Sequence, residues 1–215
     1  ATINFKFPEP VRAGKVVYEL SEFSKTYEVS GADPVRVFLN AGPLTVYRGD
    51  KIALIGKNGA GKSTLARIIV GTEPCEGTAK TGHNVDLTYF AQHQADTLNP
   101  SNNILEELLS APGALGETAT RTLLGAFLFT DRDVYKPVKV LSGGEKSRVA
   151  LAKTLLSPNN FMVLDEPTNH LDIKSRKVLI EAMKRYSGTF IVVSHDRHFL
   201  DAVANKIWYV EEKGV

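Results

Sequence analysis

The chain has 215 residues, 43% of them hydrophobic and 23% charged, with a formal net charge of +2. That length can bury a full core and fits one domain with subdomains, while a charge so near neutral gives no electrostatic case for DNA or other nucleic acid. No apolar run approaches the ~18 residues of a membrane span, and a single cysteine, Cys75, excludes an internal disulfide and argues against a cysteine-based metal site. A reducing, cytoplasmic compartment fits, with no membrane insertion.

The opening "ATINFKFPEP" has neither an initiator Met nor an apolar signal core. It reads as an internal cut from a longer protein or a processed start, and residues 1–15 read as a linker remnant or an extension along an edge. From Val16 to Phe23 and from Val35 to Tyr47, β-rich stretches flank a turn-like "VSGADP". Residues 51–55 form a buried-type strand, and "KSTLARIIVG" continues from a glycine loop as a helix. Thr78 to Phe90 reads as strands around a turn at His83 and Asn84. Residues 92–158 are mostly helical, with "ILEELLS" and "TRTLLGAFLF" as amphipathic pieces, and Pro158 stops a helix. "FMVLDE" and "TFIVVSHD" are continuous apolar runs ending in acids or His, as in the middle of a parallel sheet covered on both faces. A helix near 173–186 separates them, and "KIWYV" closes the pattern as a strand. The order specifies an α/β fold with a parallel sheet, whose ligands bind at the carboxyl ends of the strands.

Gly56-Lys57-Asn58-Gly59-Ala60-Gly61-Lys62-Ser63 fits the phosphate-loop pattern without a miss, between a strand and a helix. Its glycines let successive N–H groups point at an anion, and the helix N-terminus adds partial positive charge. Lys62 would reach the β- and γ-phosphates and Ser63 would hold Mg²⁺. Hydrolysis needs a further metal ligand and a group that activates water. Asp165 suits a Mg²⁺-bound water and Glu166 a general base; two acids that merely cap the end of a strand are the plainer alternative. His195 stands at the tip of the next buried strand, placed to sense a γ-phosphate. In "LSGGEKSR", Ser142 and Glu145 form a capping box. That box does not explain Gly143 and Gly144, which weaken a first helical turn. An approaching anion would explain them, and with one nucleotide already placed at Gly56–Ser63, it would belong to another molecule's phosphate loop.

Together, Gly56–Ser63, "LSGGE" at 141–145, "FMVLDE" at 161–166 and His195 resemble an ATP-binding cassette (ABC) ATPase. Gln92 in "YFAQ" is similar to that family's Q-loop, and Tyr27 in "SKTY" to its adenine-stacking aromatic. The resemblance covers residues 16–215. It implies a P-loop NTPase (RecA-like) core at 16–91 and 159–215, with an N-terminal antiparallel β-subdomain and an inserted helical subdomain at 92–158. It also implies that Lys62, Ser63, Thr64, Gln92, Asp165, Glu166 and His195 serve one Mg-ATP, with Gln92 reporting occupancy and joining Ser63 and Asp165 as a metal ligand. Ser142, Gly143, Gly144 and Glu145 would complete the site of a second cassette, in the parent chain or a second copy, and Asp172 would link the two sites. Glu145 after "LSGG", and "EPTNHLD" at 166–172, resemble the ABC-F proteins, particularly their second cassette. Family members bind the ribosome in the ATP state and leave after hydrolysis, so a ribosome or rRNA partner is implied. "FKFPEP" is similar to the end of the linker between their two cassettes. The chain departs from the pattern in the inserted "EVSGADP" near the expected adenine position and in carrying one cassette. A nucleotide-binding subunit of a membrane transporter, or a module that binds ATP without turnover, are the competing readings. His83, His93 and His198 read as turn or surface residues, Lys174–Lys177 as a solvated helix face, and Trp208 and Tyr209 as strand packing.

Overall fold

A computed structural model describes residues 5–215, with Gln92 described by its backbone alone. Strands β1 (Val16–Leu20), β2 (Phe23–Tyr27), β3 (Val35–Ala41), β4 (Leu44–Tyr47) and β5 (Lys51–Gly56) lead into helix α1 (Lys62–Val70). After β6 (Ala79–Thr81) and β7 (Leu87–Phe90) come α2 (Ile104–Leu109), α3 (Glu117–Ala126) and α4 (Gly143–Leu156), linked by 3₁₀ turns. The chain then alternates: β8 (Phe161–Asp165), α5 (Ile173–Arg185), β9 (Thr189–Val193), α6 (Arg197–Val203) and β10 (Lys206–Val210).

The centre is a five-stranded parallel sheet in the order β10-β5-β9-β8-β7. Its middle strands carry continuous apolar runs, IALI in β5, FMVL in β8 and FIVV in β9, that suit cover on both faces. Met162 and Leu164 of β8, with Phe190 and Val192 of β9, pack into the core on the α4–α5 side. Their neighbours Phe161, Val163, Ile191 and Val193 pack into a second core with Leu65, Ile68 and Ile69 of α1. Burying each such side chain contributes roughly 1.5–3 kcal/mol, and the shared register fixes the carboxyl ends of β5, β8 and β9 side by side. The second core is closed by an antiparallel sheet, β4-β1-β6, and by the β2-β3 pair, whose Phe23 and Phe38 rings lie 5.1 Å apart. The "EVSGADP" insertion is the exposed connection of that pair.

As expected, a turn at His83 and Asn84 lies between two strands; β6 joins the antiparallel sheet and β7 the parallel one, so the turn carries the chain between layers. One sequence expectation changes. Trp208 packs into the second core, but Tyr209 faces outward and is 48% exposed. The reason is position: β10 is an edge strand, and its Ile207–Tyr209 face borders an open groove beside α6.

At the opposite end of the sheet, Phe5 is buried and the Phe7 ring lies 4.9 Å from that of Tyr186. Lys51 enters the same cluster, over the rings of Tyr186 and Phe190, and donates to the Tyr186 carbonyl. Burial lowers its pKa from 10.5 to about 8. Between about pH 8 and 10 the unfolded chain therefore holds a proton that the folded one has released, and stability rises with pH. Above 10 the trend reverses, because burial raises Tyr18 and Tyr89 to about 12 and the folded state then holds the extra protons. Denaturant midpoints at pH 7.5 and 9.5 should show the rise, and Lys51→Met should diminish it.

Candidate nucleotide site

The loop after β5 is shaped by its glycines. Gly61 has φ +108, and a Cβ there would lie 2.6 Å from Val37 and 2.9 Å from the Phe38 ring. At Gly56, φ is +155 and a Cβ would meet the Val210 carbonyl oxygen at 2.3 Å. No other residue fits either place. The loop is thereby pressed against β3 and β10 while Lys57, Asn58 and Gly59 stay exposed. Helix α1 has no side-chain cap on its first turn, which leaves its leading N–H groups facing out as an anion cradle. Lys62 is 8% exposed and donates to the carbonyls of Gly56 and Lys57, each at 2.8 Å, so its ammonium sits inside the curve of the loop.

The acids arrive from β8. Burial raises the pKa of Asp165, opposed by a hydrogen bond from Ser63 and by the charges of Arg67, Lys62 and His93. Ser63 and Asp165 thus form a pair of hard oxygen donors beside the phosphate cradle, a donor set that suits Mg²⁺ shared with phosphate oxygens. Glu166 has left-handed backbone, φ +53, just beyond the strand, a conformation that is unusual for a glutamate and clusters at functional sites. Its N–H is held by the Val193 carbonyl at 2.7 Å. The carboxylate receives the His195 N–H at 3.3 Å and lies 3.3 Å from His195 Nε2. Burial raises its pKa too; His195 opposes the shift, and Asp165 reinforces it. β8 and β9 therefore bring Glu166 and His195 together, within the field of Lys62. A groove of about 860 Å³ touches Gly56, Lys57, Lys62 and His195, but most of it runs along β10 and α6, away from the acids.

The signature lies elsewhere. Ser142 accepts the Glu145 N–H at 3.2 Å and Glu145 accepts the Ser142 N–H at 2.8 Å, closing the capping box. Ser142 and Gly143 are exposed, and Gly144 faces His170, whose Cβ lies 3.7 Å from where a Cβ on Gly144 would stand. This capped helix start, with Ser142 and Gly143 exposed, points to solvent rather than closing on the chain's own loop.

A family model described as ABC transporter matches residues 39–169. The chain is an ABC ATPase cassette. Over nearly its whole length it matches a cassette of the ABC-F proteins. It is 39% identical over 208 residues to the ATP-binding protein Uup of Haemophilus influenzae, covering 94% of this chain and 31% of Uup. To ABC transporter F family member 5 of Arabidopsis thaliana it is 38% identical over 212 residues, covering 98% of this chain and 30% of that one. The chain thus spans about a third of the length of these relatives. Among solved structures, the dimeric post-hydrolysis cassette MJ0796 bound to ADP and Pi superposes with a TM-score of 0.74 at 24% identity, covering 92% of this chain and 96% of that one. That likeness carries the fold.

The remaining expected residues of the cassette are placed as follows. The Tyr27 hydroxyl lies 3.5 Å from that of Thr64 and accepts from Arg67 at 3.3 Å, which sets Tyr27 beside the first turn of α1. Lys25 Nζ stands 4.7 Å from its ring centroid. The Gln92 side chain lies outside the described residues; its backbone opens a 3₁₀ turn directly after β7, which pairs with β8. Asp172 caps α5, accepting from Ser175 at 2.9 Å and Lys174 at 3.3 Å, and these bonds hold its pKa down.

Sequence reasoning missed the parts played by Arg67, His93, Ser175 and Arg176. Arg67 acts on Asp165 and holds Tyr27, and its signal, a cation one turn into the phosphate-loop helix, was available. His93 is exposed, as expected, yet near enough to Asp165 to favour its ionised form. The Lys174–Lys177 run is not a uniform solvated face: Ser175 is fully buried on the Ala126 carbonyl and Arg176 pairs with Asp196. Helical spacing turns those two residues inward while Lys174 and Lys177 stay exposed.

Proposed function

We propose that this cassette binds and hydrolyses Mg-ATP in an ATP sandwich with a second cassette, as the motor half of an ABC-F protein that acts on the ribosome. The observation that carries the catalytic part is the placement of Glu166: left-handed, half-buried, bonded to the His195 amide and in the field of Lys62 and Asp165. The phosphate loop and α1 hold the triphosphate, Lys62 meets the β- and γ-phosphates, and Tyr27 stacks on the adenine. Ser63, Asp165 through a water, and Gln92 would hold Mg²⁺, which neutralises charge on the phosphate oxygens when bound. Glu166 orients and deprotonates the attacking water, its raised pKa bringing it nearer the working pH. His195 steadies the γ-phosphate. Ser142 and the amides of Gly143 and Gly144 cap the γ-phosphate of the partner's nucleotide, with Glu145 holding that helix start in shape, and Asp172 links the two sites.

Support for the ribosome comes from the ABC-F resemblance, carried by Glu145 and by Asn169-His170. Among the described residues no helix is long and apolar enough to cross a membrane. The test is co-sedimentation of the full-length protein carrying Glu166→Gln with ribosomes. Retention with ATP and release with ADP is the expected result. ATP-independent failure to bind ribosomes, with binding to a membrane-embedded partner instead, would favour the transporter subunit.

A further inference from the structure

Helix α5 starts at Asp172, in the segment proposed to meet the second cassette, and Arg176 lies one turn further on, its N–H bonded to the Asp172 carbonyl at 2.9 Å. The Arg176 side chain leaves α5 and reaches the loop after β9, where Nη1 lies 3.3 Å from Asp196 Oδ2. Asp196 is the residue next to His195. It is otherwise fixed at three points: its N–H donates to Ser194 Oγ at 3.0 Å, its Oδ1 caps α6 through the Phe199 N–H at 3.0 Å, and its carbonyl accepts the Leu200 N–H at 3.0 Å. Its side chain is 15% exposed and that of Arg176 38%. Two buried side-chain atoms here, Arg176 Nε and Asp196 Oδ2, have no hydrogen-bond partner. They belong to the two members of one ion pair. The guanidinium and carboxylate are in reach of each other but not aligned, and a charge-assisted bond would bring them about 0.5 Å closer.

We propose that Arg176 is a positioning residue for His195, tying the helix that begins at Asp172 to the loop that presents the histidine to Glu166. Docking of a second cassette against Asp172 shifts α5 slightly, the pair closes into an aligned bond, and His195 is set for the γ-phosphate. Without Arg176, the Asp196 carboxylate is left largely buried without its cation, and the loop relaxes toward water. The inference rests on the proposed role of His195, and its test separates the two.

Steady-state turnover and equilibrium ATP affinity are measured for wild type, His195→Ala, Arg176→Met, Arg176→Lys, Asp196→Asn and the Arg176→Met/Asp196→Asn double variant, in the full-length protein. Misplacing a catalytic group can lower kcat by about tenfold or more, and that is the effect expected of Arg176→Met, with ATP affinity unchanged. Arg176→Lys should recover most of the rate, and the double variant should be no slower than Arg176→Met, as for residues acting as one unit. Asp196→Asn keeps the cap oxygen and should reproduce the loss, so it replaces Arg176→Met if that variant does not fold. Wild-type turnover in Arg176→Met or Asp196→Asn while His195→Ala is slow would overturn the positioning role alone, as would additive losses in the double variant. Wild-type turnover in His195→Ala would overturn the reading of the histidine and the inference with it.

Discussion

Replacing Glu166 by glutamine should leave ATP affinity within about twofold of wild type and slow turnover by ~10²-fold or more, the effect of losing a general base. Binding should survive because the contacts proposed for the triphosphate come from other elements: the loop at Gly56–Ser63, Lys62 inside its curve, and the first turn of α1. Glutamine matches glutamate in shape and keeps an oxygen for the His195 amide, so the left-handed turn after β8 persists. What disappears is the ionisable oxygen. Its pKa is raised by burial and by the neighbouring Asp165, against the pull of His195, which makes it a better proton acceptor than a free carboxylate. Calorimetric ATP titration beside phosphate release under saturating ATP measures both halves. Turnover equal to wild type would show that water is activated by some other group.

The second large effect falls on Gly61. An alanine must adopt φ +108 and place its Cβ 2.6 Å from Val37 and 2.9 Å from the Phe38 ring. Phe38 is fully buried against Phe23 and cannot swing away. Backbone strain of about 1–3 kcal/mol and overpacking of about 1–3 kcal/mol add, and the loss is divided between fold stability and the shape of the phosphate cradle. ATP affinity and thermal midpoint should both drop. Gly59→Ala is the control: it carries the strain of φ +78, but nothing lies within 4 Å of its Cβ. It should therefore be the milder variant by both measures. Equal effects at the two glycines would mean that contact with β3 does not shape the loop.

Much of this was legible in the sequence because it is written in local rules. The glycine loop between an apolar strand and a helix, and the acids at the end of "FMVLDE", need only spacing and burial to be placed at the carboxyl end of a parallel sheet. Ser142 and Glu145 announced their capping box by type and spacing, and the box is present. What was not legible depends on where separate layers meet. Nothing local to Thr78–Phe90 shows that β6 and β7 enter different sheets, since each is a short strand and its partner comes from far along the chain. Tyr209 reads like any strand aromatic; its exposure follows from β10 being an edge strand. Arg176 sits in a basic run that looks solvated, and only the packing of α5 against α6 reveals Asp196 beneath it. The strain at Glu166 is a backbone property that no side-chain pattern encodes.

The central claim is that the exposed signature at Ser142–Glu145 and the phosphate loop at Gly56–Ser63 are halves of a site completed by two cassettes. Its most direct test is the mass of the Glu166→Gln protein by light scattering, with and without Mg-ATP, beside a Ser142→Arg version of the same variant. ATP should convert monomer to dimer, and Ser142→Arg should prevent it without lowering ATP affinity. A protein saturated with ATP that remains a monomer in both forms would contradict pairing of this cassette with a second copy of itself, leaving a second cassette of a longer parent chain as the partner.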